Sequence, residues 1–243
     1  MRNVWTIASR EYKLYFASPA AYLVAFMVLL ILGIIFYANV MAAMMQQFPP
    51  GIQVILGPLT TILLFATPAI TMRLIAEEQR LGTIELLLTA PIKDWELVVG
   101  KWLGGFLFML TIIALTWLYP IFLNQIVSPG IDQGPLVTGY LGIVLIIAAL
   151  VAVGVAISSL FSNQIAAFFL TLGVYLFFWL ISTPSQAMGG SGAELLSYLS
   201  LSDHFYDTLY RGIIDLRDIV YYLSVTALAL FLGSVLVETR RWR

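Results

Sequence analysis

The sequence has no cysteine, a single histidine, and charged residues at only 10% of its positions. Without cysteine there are no disulfides and no thiolate chemistry. One histidine among carboxylates on opposite sides of a membrane cannot converge into a metal site, so no metal ligands are expected. No Gly-x-x-x-x-Gly-Lys-Ser/Thr segment occurs, so the chain lacks the loop that cradles nucleotide phosphates. With 12 basic and 13 acidic residues the balance is near neutral, which offers nothing to a nucleic acid.

What the chain has instead is apolar length. Hydrophobic residues make up 61% and the mean hydropathy is +0.96. Four runs carry no Asp, Glu, Lys or Arg: Leu14 to Met72, Trp102 to Ile131, Gln133 to Ala193 and Ile219 to Val237. A spanning helix needs roughly 20 apolar residues, so the first and third runs each hold two spans and the others one each. The expected fold is an all-α membrane protein with six transmembrane helices, near 20–44, 52–75, 97–123, 136–160, 165–182 and 219–237. Runs such as "LLILGIIF" are apolar on every side, unlike barrel strands. The first run is too long for a cleavable signal. Ten basic residues fall on one side of this arrangement, leaving Arg211 and Arg217 on the other, so both termini are expected to be cytoplasmic.

The chain reads as one transmembrane domain over 1–243, in which 1–18 is an N-terminal interfacial helix. Its polar face carries Arg2, Asn3, Thr6, Ser9, Arg10 and Lys13, and its apolar face Val4, Ala8, Tyr12 and Tyr15. Glu11 falls among the apolar positions. Two readings of it stand, a snorkelling surface carboxylate or a partner for an arginine between Arg73 and Arg80. Pro58 and Pro68 are expected to bend the second span. In the fourth, Ala148, Ala152 and Ala156 share a face, with Gly154 and Ser158 on another, which permits close helix approach. Residues 183–218 form an external segment with a "GGSG" hinge and amphipathic helices, and 238–243 a basic cytoplasmic tail. His204 there reads as structural or as a pH-sensitive gate.

Charge gathers in one place. Of the chain's charged residues, nine lie between Met72 and Lys101. Each would cost about 2.5–3.5 kcal/mol at the bilayer centre, so 76–96 is expected to be a cytoplasmic loop. Gly82 permits a turn, Thr83 can cap a following helix, Glu85 suits its first turn, and Pro91 ends it. Leu86, Leu87 and Leu88 make that helix an apolar knob inside a rim of Glu77, Glu78, Arg80, Glu85 and Lys93. Docking to a partner and lying back on the membrane explain it equally well. Glu77-Glu78 does not make an intramembrane protease, which needs histidines that the chain lacks.

The stretch "EEQRLGTIELLLTAPIKDWELVVGK" resembles the signature loop of ABC-2-type transporter permeases. "SREYKLYFASPAAY" and "HFYDTLYRGIIDLRDIVYYLS…LVETRRW" are similar to the ends of its gliding-motility-associated branch. The resemblance implies a permease subunit of an ATP-driven transporter in the bacterial inner membrane, without an ATPase site of its own. It implies a cytoplasmic ABC ATPase dimer using ATP and Mg, a second identical or paralogous permease, and an extracytoplasmic accessory protein as partners, within membrane lipid. Residues 82–91 would be the coupling helix, with Glu77, Glu78, Arg80 and Glu85 as polar contacts and Glu11 and Arg73 in support. A weakly polar route of Thr60, Thr61, Thr67, Thr71, Asn163, Gln164 and Thr171 would suit a lipid-like, exported cargo. The alternatives are a membrane anchor for a soluble complex, and an ATP-independent channel or transporter.

Overall fold

Ser18 and Pro19 set the first helix boundary. α1 (Arg2–Ala17) ends there, and Pro19 opens α2 (Pro19–Met45) at the position where its missing N–H is harmless. The structure, a computed structural model, describes residues 2–47, 49–83, 92–183 and 196–241. Every regular element among them is helical. After α2 come α3 (Gln53–Thr71), α4 (Ala76–Arg80), α5 (Asp94–Thr116), α6 (Leu118–Ile126), α7 (Gln133–Ser158) and α8 (Gln164–Leu180). The chain closes with α9 (Asp203–Tyr206), a 3-10 turn (Leu209–Arg211) and α10 (Leu216–Arg241).

Five stretches are long and apolar enough to cross a membrane: Pro19–Met45, Gln53–Arg80, Asp94–Ile126, Gln133–Ser158 and Leu216–Thr239. α8 is equally apolar but has 17 residues, the lower edge of the roughly 17–25 that span a bilayer. Residues 84–91, which hold Glu85, Leu86, Leu87, Leu88 and Pro91, lie outside the described residues, as do the "GGSG" hinge and its flanks at 184–195.

α7 is the hub. Its apolar residues are buried along nearly the whole helix, and α3, α5, α8 and α10 pack around it. Small residues allow this closeness. A Cβ on Gly154 would lie 2.3 Å from Thr71 Oγ1, and one on Gly139 2.3 Å from Leu56 Cδ1. On the alanine face, Ala156 approaches Gly233 of α10. The small positions of this span are therefore helix contacts on both faces. α2 sits outside, exposing Phe26, Leu30, Ile34 and Tyr37, the apolar exterior that a hydrocarbon solvent requires.

The third expected span is not one helix. α5 stops at Thr116 and α6 starts at Leu118. Pro120 has no N–H for the carbonyl of Thr116 four residues earlier. The Tyr140 hydroxyl donates to that carbonyl instead, at 3.3 Å. The second span also breaks, between α3 and α4, and a side chain from α7 supports that break.

Polar groups gather at the two ends of the bundle. α1, α4, the start of α5 and the ends of α7 and α10 share one end, where Arg10, Arg73 and Lys101 lie. The other end carries α9, the 3-10 turn and Arg211, with Tyr210 reaching the start of α3.

Candidate functional site

α1 is seated in a groove made by glycine. Gly100 and Gly104 stand one turn apart on α5, and a Cβ on Gly104 would lie 2.5 Å from Glu11 Cβ and 3.0 Å from the Ala8 carbonyl. A Cβ on Gly100 would meet Ile7 Cβ at 2.7 Å. The apolar face expected for α1 turns inward, with Ala8 and Tyr15 buried. Asn3, expected on the polar face, donates to Glu96 of α5 at 3.1 Å. This helix is thus held by protein along its inner side.

That docking settles Glu11. It is buried and accepts from Lys101 Nζ at 2.8 Å, so it is not a surface carboxylate, and among the described residues its ion-pair partner is this lysine and not an arginine between Arg73 and Arg80. Lys101 is 1% exposed and reaches Glu78 of α4 at 2.9 Å as well. One ammonium therefore joins α1, α4 and α5. Two carboxylates share one cation, and the second Glu78 oxygen has no hydrogen-bond partner among the described residues. Sequence reasoning counted Lys101 only as a charge at a span boundary. Its signal was its place in "VVGKWLGG", about two turns inside a largely apolar helix, where a lysine without a partner would be costly.

A cavity of about 600 Å³ opens beside this triad, lined among others by Arg10, Arg73, Glu77, Leu81 and Thr83. Arg73 donates to Ser18 Oγ at 2.7 Å and lies 4.6 Å above the Tyr15 ring, a cation–π contact. Burial pushes the Tyr15 phenol well above its ordinary pKa, against the lowering effect of Arg73. It therefore stays protonated and donates to the Ile70 carbonyl at 3.0 Å. The expected supporting residues Glu11 and Arg73 both line this cavity, held by different partners.

α4 is short and is fixed from both ends. Ser158 Oγ accepts from the Ile75 and Ala76 N–H groups at 3.1 and 3.0 Å and donates to the Met72 carbonyl at 3.1 Å. One buried hydroxyl thus satisfies the start of α4. Ser158 was expected only as a small packing residue, and its capping role has no local sequence signal. Gln79 Nε2 donates to the Ser159 carbonyl at 2.8 Å. At the far end Gly82 takes φ +69°, with Thr83 N–H bonded to the Glu78 carbonyl and Gly82 N–H to that of Gln79, the paired bonds of a glycine-terminated helix. Thr83 Oγ1 also donates back to Glu78 O. Arg80, Leu81, Gly82 and Thr83 are exposed where the described chain leads into 84–91.

Five of the seven residues of the expected cargo route make local hydrogen bonds. Thr60, Thr61, Thr67 and Thr71 each donate to a carbonyl of their own helix. Thr60 also meets Tyr206 OH at 3.1 Å. Asn163 caps α8 by accepting from Ile165 and Ala166, and Gln164 begins that helix. Thr171 is buried without a hydroxyl partner among the described residues. At the other end of the bundle His204 meets Asp218 at 2.6 Å and the Tyr198 carbonyl at 2.9 Å, and its ring stacks on Tyr221. Those contacts tie α9 to the start of α10.

Among the described residues no group of His, Cys, Asp or Glu side chains could hold a metal ion. No curated protein matches the chain. Residues 54–240 match the family model for "ABC-2 family transporter protein", a stretch that begins in α3 and ends in α10. A multi-pass helical chain with that match over most of its length belongs to the ABC-2 transporter family, as a membrane-embedded permease component of an ABC transporter.

Proposed function

We propose that this chain is the permease subunit of an ATP-driven exporter, moved by separate ATPase subunits through residues 77–91. The observation that supports the reading is the Lys101 bridge from Glu11 to Glu78, immediately before the exposed Arg80–Thr83 turn. Force applied to 84–91 would reach α4 through the hydrogen-bonded glycine turn. From there ion pairs and the Ser158 bonds would pass it to α1, α5 and α7 together. Glu77 and Arg80 would contact the ATPase, while Glu78 would act from inside the joint. ATP and Mg would be used by the partner.

In this reading α8 completes six spans, and both termini face the cytoplasm because the basic residues cluster at their end of the bundle. The chain would work in a bacterial inner membrane with a second permease, identical or paralogous, an ATPase dimer and an extracytoplasmic accessory protein. Its cargo would be lipid-like, consistent with spans that hold few charges, and its branch would be the gliding-motility-associated one.

The test is to tag the chain, extract it in mild detergent, and identify and count what co-purifies. One ATP-binding subunit per permease is expected. Glu85→Lys and Leu87→Asp should leave membrane insertion intact and abolish that association. Unchanged co-purification of both variants would overturn the coupling assignment.

A further inference from the structure

A second cavity, sharing no lining residue with the first, runs along the outside of α7, α8 and α10. It measures about 440 Å³ and its lining is wholly apolar, including Val153, Ala156, Val174, Phe178, Val225 and Leu232. Two tyrosines border it, and neither brings a free hydroxyl. Tyr175 OH donates to the Leu150 carbonyl, and Tyr221 OH to that of Leu199 at 2.7 Å. Any occupant must be one that asks for no hydrogen bond.

The position of the groove says what surrounds it. Its lining residues Leu160, Leu228 and Leu232 are exposed, so it opens sideways along three apolar helices. At one end Tyr221 joins a cluster of interfacial character, with Tyr198, His204 and Tyr222 in ring contact. The other end stops at Leu236, just before Glu238 and the charged tail. Between Tyr221 and Leu236 the helix rises roughly 22 Å at about 1.5 Å per residue, most of a hydrocarbon core about 30 Å thick. The groove therefore faces hydrocarbon for its whole length.

Its void is too narrow to enclose a whole helix. Spread over that length, the volume gives a cross-section of roughly 20 Å², whereas a helix with side chains is about 10 Å across. A single extended hydrocarbon chain fits. We infer that the groove between α7, α8 and α10 is a seat for one acyl chain of a resident bilayer phospholipid, retained from the membrane. The inference rests on the membrane-spanning fold alone and not on coupling to an ATPase.

The experiment uses the full chain, without ATPase subunits, in nanodiscs of phosphatidylethanolamine and phosphatidylglycerol. A phosphatidylglycerol with a diazirine in one acyl chain is photoactivated, and adducts are mapped by mass spectrometry. Expected are adducts concentrated on the peptides holding Val153, Val174 and Val225, at least tenfold above those on exposed α2. Val225→Trp, which fills the groove, should remove that excess while the α2 adducts persist. Leu228→Trp, at the exposed rim, serves if Val225→Trp does not fold. Equal labelling of α2 and the groove would reduce the lipid to an ordinary annular one and overturn the inference. Absence of adducts on all three groove peptides while α2 is labelled would overturn it in favour of a contact that shuts lipid out of the groove.

Discussion

Replacing Lys101 by methionine keeps the length and apolar stem of the side chain and removes the ammonium that Glu11 and Glu78 share. Both carboxylates lie within 2.9 Å of the same nitrogen, so their bonded oxygens are less than about 6 Å apart. At that separation and an effective dielectric near 20, two negative charges repel by about 3 kcal/mol. Breaking a buried ion pair by removing one member generally costs about 3–5 kcal/mol, which is the same range. For a chain of this size each kcal/mol lowers the melting temperature by about 2–4 °C. Lys101→Met should therefore melt roughly 6–20 °C below the parent protein in one detergent, followed by loss of the monodisperse peak on heating. Glu11→Gln and Glu78→Gln each leave a one-to-one pair and should cost less than Lys101→Met. The triple variant Glu11→Gln/Glu78→Gln/Lys101→Met carries no uncompensated charge and should return most of the loss. A Lys101→Met protein that melts within about 3 °C of the parent, or a triple variant no better than the single, would refute the shared-cation argument.

Three further perturbations isolate single contacts. Ser158→Ala leaves the Ile75 and Ala76 N–H groups without their acceptor. It should cost about 2–6 kcal/mol, at about 1–3 for each orphaned group, and speed hydrogen exchange at those two amides; unchanged exchange there would count against the cap. Gly104→Val drives methyl groups into Glu11 and Ala8, so α1 should undock and become sensitive to limited proteolysis near Arg10, a change that Gly173→Ala, with open space around it, should not produce. Gly82 has positive φ, and a Cβ placed there would meet nothing within 4 Å among the described residues, so Gly82→Ala should cost its conformational strain, about 1–2 kcal/mol, and Gly82→Asn distinctly less, as thermal melting would show.

How legible the protein was depends on the distance over which each feature is encoded. Spans are local: an apolar run near 20 residues long has to become a helix in lipid, because hydrocarbon offers no other partner to the backbone. The concentration of charge after the second span is equally local, although Glu78, Glu96 and Lys101 of that group find their partners inside the protein. The break at Trp117 was within reach, since Pro120 removes a hydrogen bond at a known offset. Composition placed the polar threonines of α3 in the second span but could not say that each hydroxyl returns to a carbonyl of its own helix.

By itself, then, the sequence determined a multi-pass helical membrane chain, the stripe by which α1 is buried, the glycine at the end of α4 and the charged segment that follows it. Tertiary structure alone decided which groups meet there. Glu11, Glu78 and Lys101 come from three different helices, and Ser158 reaches Ile75 from 83 residues away. No periodicity or spacing encodes such pairs. A buried charge only announces that it needs a counter-charge; which one it finds is set by how closely two helices approach, and here the missing side chains of Gly100 and Gly104 set that distance.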